Sequence, residues 1–164
     1  PDTEAVTRHG HEYQVKSAAN KPYGHGIGTG SKVRRGMVWD AQTGIGLLTL
    51  SGHDDQVTSD AYNPDGSRIV APSQAKTARL WEAQTGTELL TLIGHDDVVR
   101  SAAYTPDGQS VVTASQDTTA KRREEQAGTE PLALPGDDEP VKSRVGVAHG
   151  HRIAPGSTKR PAKV

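Results

Sequence analysis

The sequence predicts an all-β fold: a β-propeller of about four four-stranded antiparallel blades, built on a 42-residue repeat. Three observations carry this reading. Gly-His recurs at Gly10-His11, Gly52-His53 and Gly94-His95, and the next step of 42 residues lands on Gly136-Asp137. The same step joins Gly24, Gly66, Gly108 and Gly150, which close the stretches KPYG, NPDG, TPDG and VAHG, and it joins Val15, Val57, Val99 and Val141. Second, each copy breaks into short alternating stretches separated by turn residues, the period-two pattern of half-buried strands. Third, Leu, Ile, Val and Phe together supply 28 of 164 residues while Gly supplies 18, which suits short strands and tight turns better than helices with a broad apolar face.

The second copy shows the elements in order, with its strands lettered A to D. Gln56 to Tyr62 alternates, putting Val57, Ser59 and Ala61 on one side, and reads as strand A. Asn63-Pro64-Asp65-Gly66 reads as a turn, because Pro fixes φ, Asp bonds local backbone and Gly supplies a positive φ. Arg68 to Pro72 is strand B and Ala78 to Trp81 strand C; Gln84-Thr85-Gly86 turns the chain into strand D, Glu88 to Leu92, which runs into the next Gly-His. A sheet of four such strands has two faces to bury, and neighbouring copies cover them. The copies run roughly 9–50, 51–92, 93–134 and 135–164, with an N-terminal strand at 3–8, in one domain spanning 1–164.

Charge and composition exclude several function classes. Lys and Arg number 19 against 20 Asp and Glu, a formal charge of −1, so no electrostatic footprint for nucleic acid or an anionic membrane is expected. No apolar run approaches the length that spans a bilayer, and no basic segment precedes a hydrophobic stretch at the N-terminus. The absence of an initiator Met predicts a processed or excised chain. With no Cys, disulfides, thiolate metal sites and a cysteine nucleophile are ruled out; the compartment stays open, with the cytoplasm as the default.

The Gly-His opening, the Pro-Asp-Gly turn, the Ser-x-Asp-x-Thr stretch at 115–119 and the Trp-Asp pair at 39–40, echoed by Trp-Glu at 81–82, together resemble the tryptophan–aspartate (WD) repeat β-propeller family. The resemblance is strong over 45–122, fair over 1–44 and poor after 123. It implies a non-catalytic scaffold that holds protein partners on the faces of a disc. It also implies, in each blade, a buried polar network of the Gly-His histidine, a strand-B Ser or Thr, a B–C turn Asp and the strand-C Trp. Carried over, the first copy offers His11, Ser31 and Trp39 with Val33 in the Asp place, and the second His53, Ser73 and Trp81 with Ala75 there. The third keeps His95, Ser115 and Asp117 but has Arg123 for Trp; the fourth keeps only Ser157, with Asp137 for His and Lys159 for Asp. No copy is complete, and a half-satisfied buried network costs more than an apolar one. The third-to-fourth region is therefore expected to be irregular, with Arg123 turning outward or pairing with Glu124 or Glu125.

No stretch reads as catalytic. The glycine-rich GHGIGTGSK at 24–32 matches neither dinucleotide nor P-loop spacing, and by register it is a turn plus strand B. His9 and His11, and His149 and His151, have a spacing that can present two imidazoles together, but they fall in loops on opposite faces. A zinc site from His25, His149 and His151 is outweighed by solvent-exposed turn histidines, so no metal and no cofactor are expected. Ser17, Ser59, Ser101 and Ser143 recur at one strand position, as packing residues do. The paired acids Asp54-Asp55, Asp96-Asp97 and Asp138-Glu139 sit on loops without a pocket to shift their pKa.

The expected function is thus a protein-interaction scaffold, with partner-binding residues Tyr13, Asp55, Gln56, Asp97 and Glu139 on the D–A loops. The alternative is a carbohydrate-binding propeller, for which Tyr13 and Tyr23 are the only loop tyrosines that could serve as platforms. Acids of the D–A loops (Glu12, Asp54, Asp96, Asp138 and those above) share a face with Lys32, Arg34, Arg35, Lys76, Lys159 and Arg160 of the B–C turns, a mosaic that argues against nucleic-acid binding. Thr3–Thr7 aligns with Thr87–Thr91, and 161–164 aligns with 77–80 in strand C, so the two ends read as halves of one hairpin. A monomer closed by its own N-terminal strand is favoured, with a homodimeric eight-bladed ring as the competitor.

Overall fold

A computed structural model describes residues 10–125, together with the strand backbones at 133–135, 143–146 and 153–156. The described residues form three four-stranded antiparallel sheets and one two-stranded hairpin. The first sheet is β1 (Val15–Asn20), β2 (Gly26–Ser31), β3 (Gly36–Asp40) and β4 (Gly46–Leu50), in that order. The second is β5 (Ala61–Tyr62), β6 (Arg68–Pro72), β7 (Ala78–Glu82) and β8 (Glu88–Leu92). The third is β9 (Val99–Tyr104), β10 (Ser110–Ser115), β11 (Thr119–Glu124) and β12 (Ala133–Pro135), and β13 (Ser143–Gly146) pairs with β14 (Ile153–Gly156). This all-β set of meandering sheets fits a β-propeller.

The turns form where their residues require. Gly66 and Gly108 end the A–B turns at φ 74° and 71°, and Gly86 ends the C–D turn of the second sheet at φ 71°, a region open to glycine without a Cβ penalty. Asp65 and Asp107 accept from the amides of Ser67 and Gln109, two residues on, at 2.7 and 3.0 Å, closing the A–B turns from the side-chain side.

Strand A of the second sheet is shorter than the sequence pattern suggests. Alternation predicts a strand over 56–62, yet only Ala61 and Tyr62 pair with β6, and Val57 makes an isolated bridge to Ser73. The cause is Pro72. Its carbonyl accepts from both the amide and the hydroxyl of Thr58, at 3.0 and 3.1 Å, but it has no N–H to return to the ladder. In the third sheet Ala114 occupies the same register, and β9 pairs along 99–104.

Alternation along β6 divides the core between two interfaces. Ile69, Ala71 and Trp81 pack towards the first sheet with Val38, Leu50 and Val57. Val70, Leu80 and Ala78 pack towards the third with Ala102, Tyr104 and Val111. The second sheet is thus buried by a neighbour on each face, which is how a repeat array stabilises units too small to fold alone.

At the first interface β2 presents glycines to the second sheet. A Cβ on Gly28 would stand 2.6 Å from Asp60 Oδ2, and one on Gly30 would stand 2.6 Å from Val57 Cγ1. The glycine-rich stretch of β2 is therefore a packing surface: with no side chains on that face, the second sheet approaches its backbone directly. Asp60 enters this gap and accepts from the Ser17 hydroxyl, and burial raises its carboxyl above the usual range.

Candidate functional site

The D–A loops and B–C turns lie at one end of the sheets, the A–B and C–D turns at the other. At the first end, Arg34, Lys76 and Thr118 occupy one register in successive B–C turns and share a left-handed backbone, with φ of 64°, 64° and 67°. Tyr13 is 64 % exposed, Asp97 is exposed, and Asp55 and Gln56 are partly so. Tyr13, Asp55 and Asp97 are one 42-residue register, which places them equivalently on three successive loops. Tyr23, fully exposed, sits in the A–B turn at the other end of β1, so Tyr13 and Tyr23 do not form one platform. Glu139 lies outside the described residues, as do Asp137, Ser157, Lys159 and the pair His149 and His151.

The strand-B serines hold these loops. Ser31, Ser73 and Ser115 are fully buried. Their hydroxyls donate to the carbonyls of Gln14 at 3.1 Å, Asp55 at 3.0 Å and Asp97 at 2.9 Å. In the second and third sheets the same oxygen accepts from the Ala75 and Asp117 amides at 3.1 Å. Each serine thus pins a D–A loop and, in these two sheets, a B–C turn.

This corrects the network assignment, in which these serines were to bond the histidines. The hydroxyl that meets the histidine is Thr29 in the first sheet and Thr113 in the third, two residues earlier. Residues two apart on a strand share a face but stand about 7 Å apart, and only the earlier one is level with the histidine ring. Thr29 Oγ1 lies 2.7 Å from His11 Nε2 and accepts from Trp39 Nε1 at 2.7 Å. Thr113 Oγ1 lies 2.8 Å from His95 Nε2, whose Nδ1 is 2.7 Å from Asp117 Oδ2. Asp117 also accepts from the Asp96 amide at 3.0 Å and from the amide and hydroxyl of Thr119 at 2.9 and 2.6 Å. Burial works to raise the Asp117 carboxyl, but these bonds outweigh it and hold its pKa at about 2. The signal for the threonines was in the repeat: 42-residue steps join Thr29, Ala71 and Thr113.

The second sheet has the rings without the oxygens. His53 and Trp81 are 5 % and 1 % exposed, and Ala71 and Ala75 stand where the third sheet has Thr113 and Asp117. Both ring nitrogens of His53, Trp81 Nε1 and Thr77 Oγ1 are consequently buried without a partner. Burial first, and the Arg79 guanidinium second, press the His53 pKa down to about 4. His11 and His95 are also lowered, chiefly by burial.

Arg123, in the Trp register, does not turn outward. It is 9 % exposed and a guanidinium N–H donates to the carbonyl of Ile93, because a buried guanidinium needs an acceptor and the backbone before Gly94-His95 supplies one. Glu125 pairs with Arg68 of the neighbouring sheet. That pair borders a cleft at the opposite end, lined also by Asp65, Asp107 and Glu124, which the sequence pattern did not reveal. Among the described residues, no group of three or more His, Asp or Glu is placed to hold a metal ion.

Residues 45–82 and 86–121 each match the family model described as WD domain, G-beta repeat. No curated protein matches the chain. Each matching stretch starts on or just before the outer strand of one sheet, β4 or β8, and continues through the inner strands of the next as far as the Trp register or just short of it. Both carry the Gly-His, the turn glycine and the strand-B serine described above, and these two stretches are WD repeats.

Proposed function

We propose that the chain is a non-catalytic scaffold that binds a protein partner on the face made by the D–A loops and B–C turns. WD repeats generally mediate protein interactions, and proteins built from them are typically non-catalytic. The observation that carries the reading is the serine clamp. Ser73 and Ser115 fix the backbone of Asp55 and Asp97 from beneath, so equivalent loop residues are presented in fixed positions at low ordering cost. Tyr13, Asp55, Gln56, Asp97 and Glu139 would supply the contacts. The face carries both signs, with Glu12, Asp54, Asp96, Lys32, Arg34, Arg35 and Lys76 exposed, which supports a protein partner over nucleic acid. For the whole chain we propose one domain of about four blades, monomeric and closed by the N-terminal strand.

The test is partner capture and mass. A partner captured by the wild-type chain should be lost on combining Tyr13→Ala, Asp55→Ala and Asp97→Ala, with the melting temperature little changed. Capture indifferent to these changes overturns the assigned face. Light scattering at twice 17.4 kDa overturns the monomer in favour of the two-chain ring.

A further inference from the structure

The second and third sheets share a backbone around the B–C turn but not its side chains. In both, the strand-B serine accepts from the amide two residues on, at 3.1 Å, and the residue after that amide takes a left-handed φ, 64° at Lys76 and 67° at Thr118. In the third sheet this turn presents Asp117, whose carboxylate collects His95 Nδ1, the Thr119 hydroxyl and the amides of Thr119 and Asp96. In the second, Ala75 occupies that position, yet the equivalent groups remain: His53 is 5 % exposed with Nδ1 unpartnered, and Thr77 Oγ1 is buried and unpartnered.

We propose that this notch is a carboxylate-binding site. A carboxylate supplied from outside the chain takes the place that Asp117 fills in the third sheet, accepting from His53 Nδ1, the Thr77 hydroxyl and the amides of Thr77 and Asp54. The geometry is preformed, since the serine bond and the turn conformation match those of the filled site. Ala75 is partly exposed and Lys76 exposed, so the position lies just under the surface, within reach of a ligand. Charge favours an anion on balance. Lys76 adjoins the notch and Arg79 faces His53, although Arg79 is already paired with Glu88 at 2.8 Å and lies 3.6 Å from Asp54. The ligand is a free small carboxylate or an Asp or Glu side chain of a bound polypeptide, and the site stands whether or not the scaffold reading does.

Sodium formate titrated into the full chain, against sodium chloride at equal ionic strength, tests it. Formate should shift the His53 ring nitrogens in NMR spectra and raise the thermal midpoint saturably, and chloride should do neither. Ala75→Asp should abolish both responses, because its own carboxylate fills the notch. Thr77→Val should weaken formate binding roughly tenfold through loss of one charge-assisted hydrogen bond. A blocked peptide with a single Glu, compared with its Gln version, assigns the source: preference for Glu over formate points to a polypeptide side chain, and formate binding alone to a free anion. Equal responses to formate and chloride overturn the site, as does an Ala75→Asp protein that responds like wild type. Should Ala75→Asp not fold, the Thr77→Val titration and the wild-type spectra decide.

Discussion

His53 and Trp81 stand edge to face, ring centroids 5.3 Å apart and planes inclined by 64°, almost as His11 and Trp39 stand at 5.8 Å and 62°. The first sheet joins its two rings through one oxygen, Thr29 Oγ1, whereas the second has a methyl group in that register. Ring packing therefore survives without the hydrogen bonds that accompany it elsewhere, at the cost of buried polar atoms left dry.

Restoring the oxygen should stabilise the protein. Ala71→Thr would offer Oγ1 to both His53 Nε2 and Trp81 Nε1, as Thr29 does for His11 and Trp39. Two neutral hydrogen bonds, at about 0.5–1.5 kcal/mol each, outweigh the added volume. Urea unfolding should show a higher midpoint with an unchanged slope. The reverse change, Thr113→Ala, should lower it by about 1–3 kcal/mol by orphaning His95 Nε2.

Stability should fall on mild acidification. The His53 pKa drops from 6.5 unfolded to about 4 folded, so below 6.5 the unfolded chain binds more protons than the folded one and stability is lost as pH falls towards 4. The loss over that window is about 3 kcal/mol from His53, with His11 and His95 adding in the same direction. Asp117 acts lower still: its stabilisation is complete above 3.8 and disappears as pH falls to about 2. Denaturation midpoints from pH 7 to 4 check this, and His53→Phe should flatten the curve.

The two sheet interfaces should be exchangeable as pairs but not singly. Gly28 and Asp60 occupy the registers of Val70 and Ala102, which share one core cluster at the next interface. Gly28→Val alone should cost about 1–3 kcal/mol by overpacking against Asp60 and Tyr62. Adding Asp60→Ala should recover most of it, and a double-mutant cycle reads the coupling directly.

Thr118→Gly should stabilise by up to about 1 kcal/mol, because a β-branched residue at φ 67° is strained where glycine is not. A rise of a few degrees in the melting temperature would show it, and no rise would mean that the entropy of the unfolded glycine cancels the relief.

Much of the architecture was legible because turn chemistry repeats faithfully. Strands β6 and β8 occupy the expected residues, Arg68–Pro72 and Glu88–Leu92, bounded by a Pro-Asp-Gly turn and a Gln-Thr-Gly turn that admit few alternatives. What misled was local to single residues. Pro72 fits the strand pattern by polarity but withholds an N–H, so β5 shrinks. Ser31, Ser73 and Ser115 recur more regularly than the threonines, and regularity pointed to the histidine when the structure uses it to clamp a loop. Arg123 was expected to turn outward or to pair with Glu124 or Glu125, but the Ile93 carbonyl offers its guanidinium an acceptor in the interior.

Because each matched stretch opens on the outer strand of one sheet and finishes in the next, the unit of inheritance is offset from the unit of folding. The array is laid like brickwork in running bond, with every sequence unit bridging a seam between two sheets. Removing one unit cleanly would leave its neighbours each with a full course, since the outer strand lost from one sheet is replaced by that of the next unit along. The staggered joint therefore lets such an array lengthen or shorten while every remaining sheet keeps its four strands.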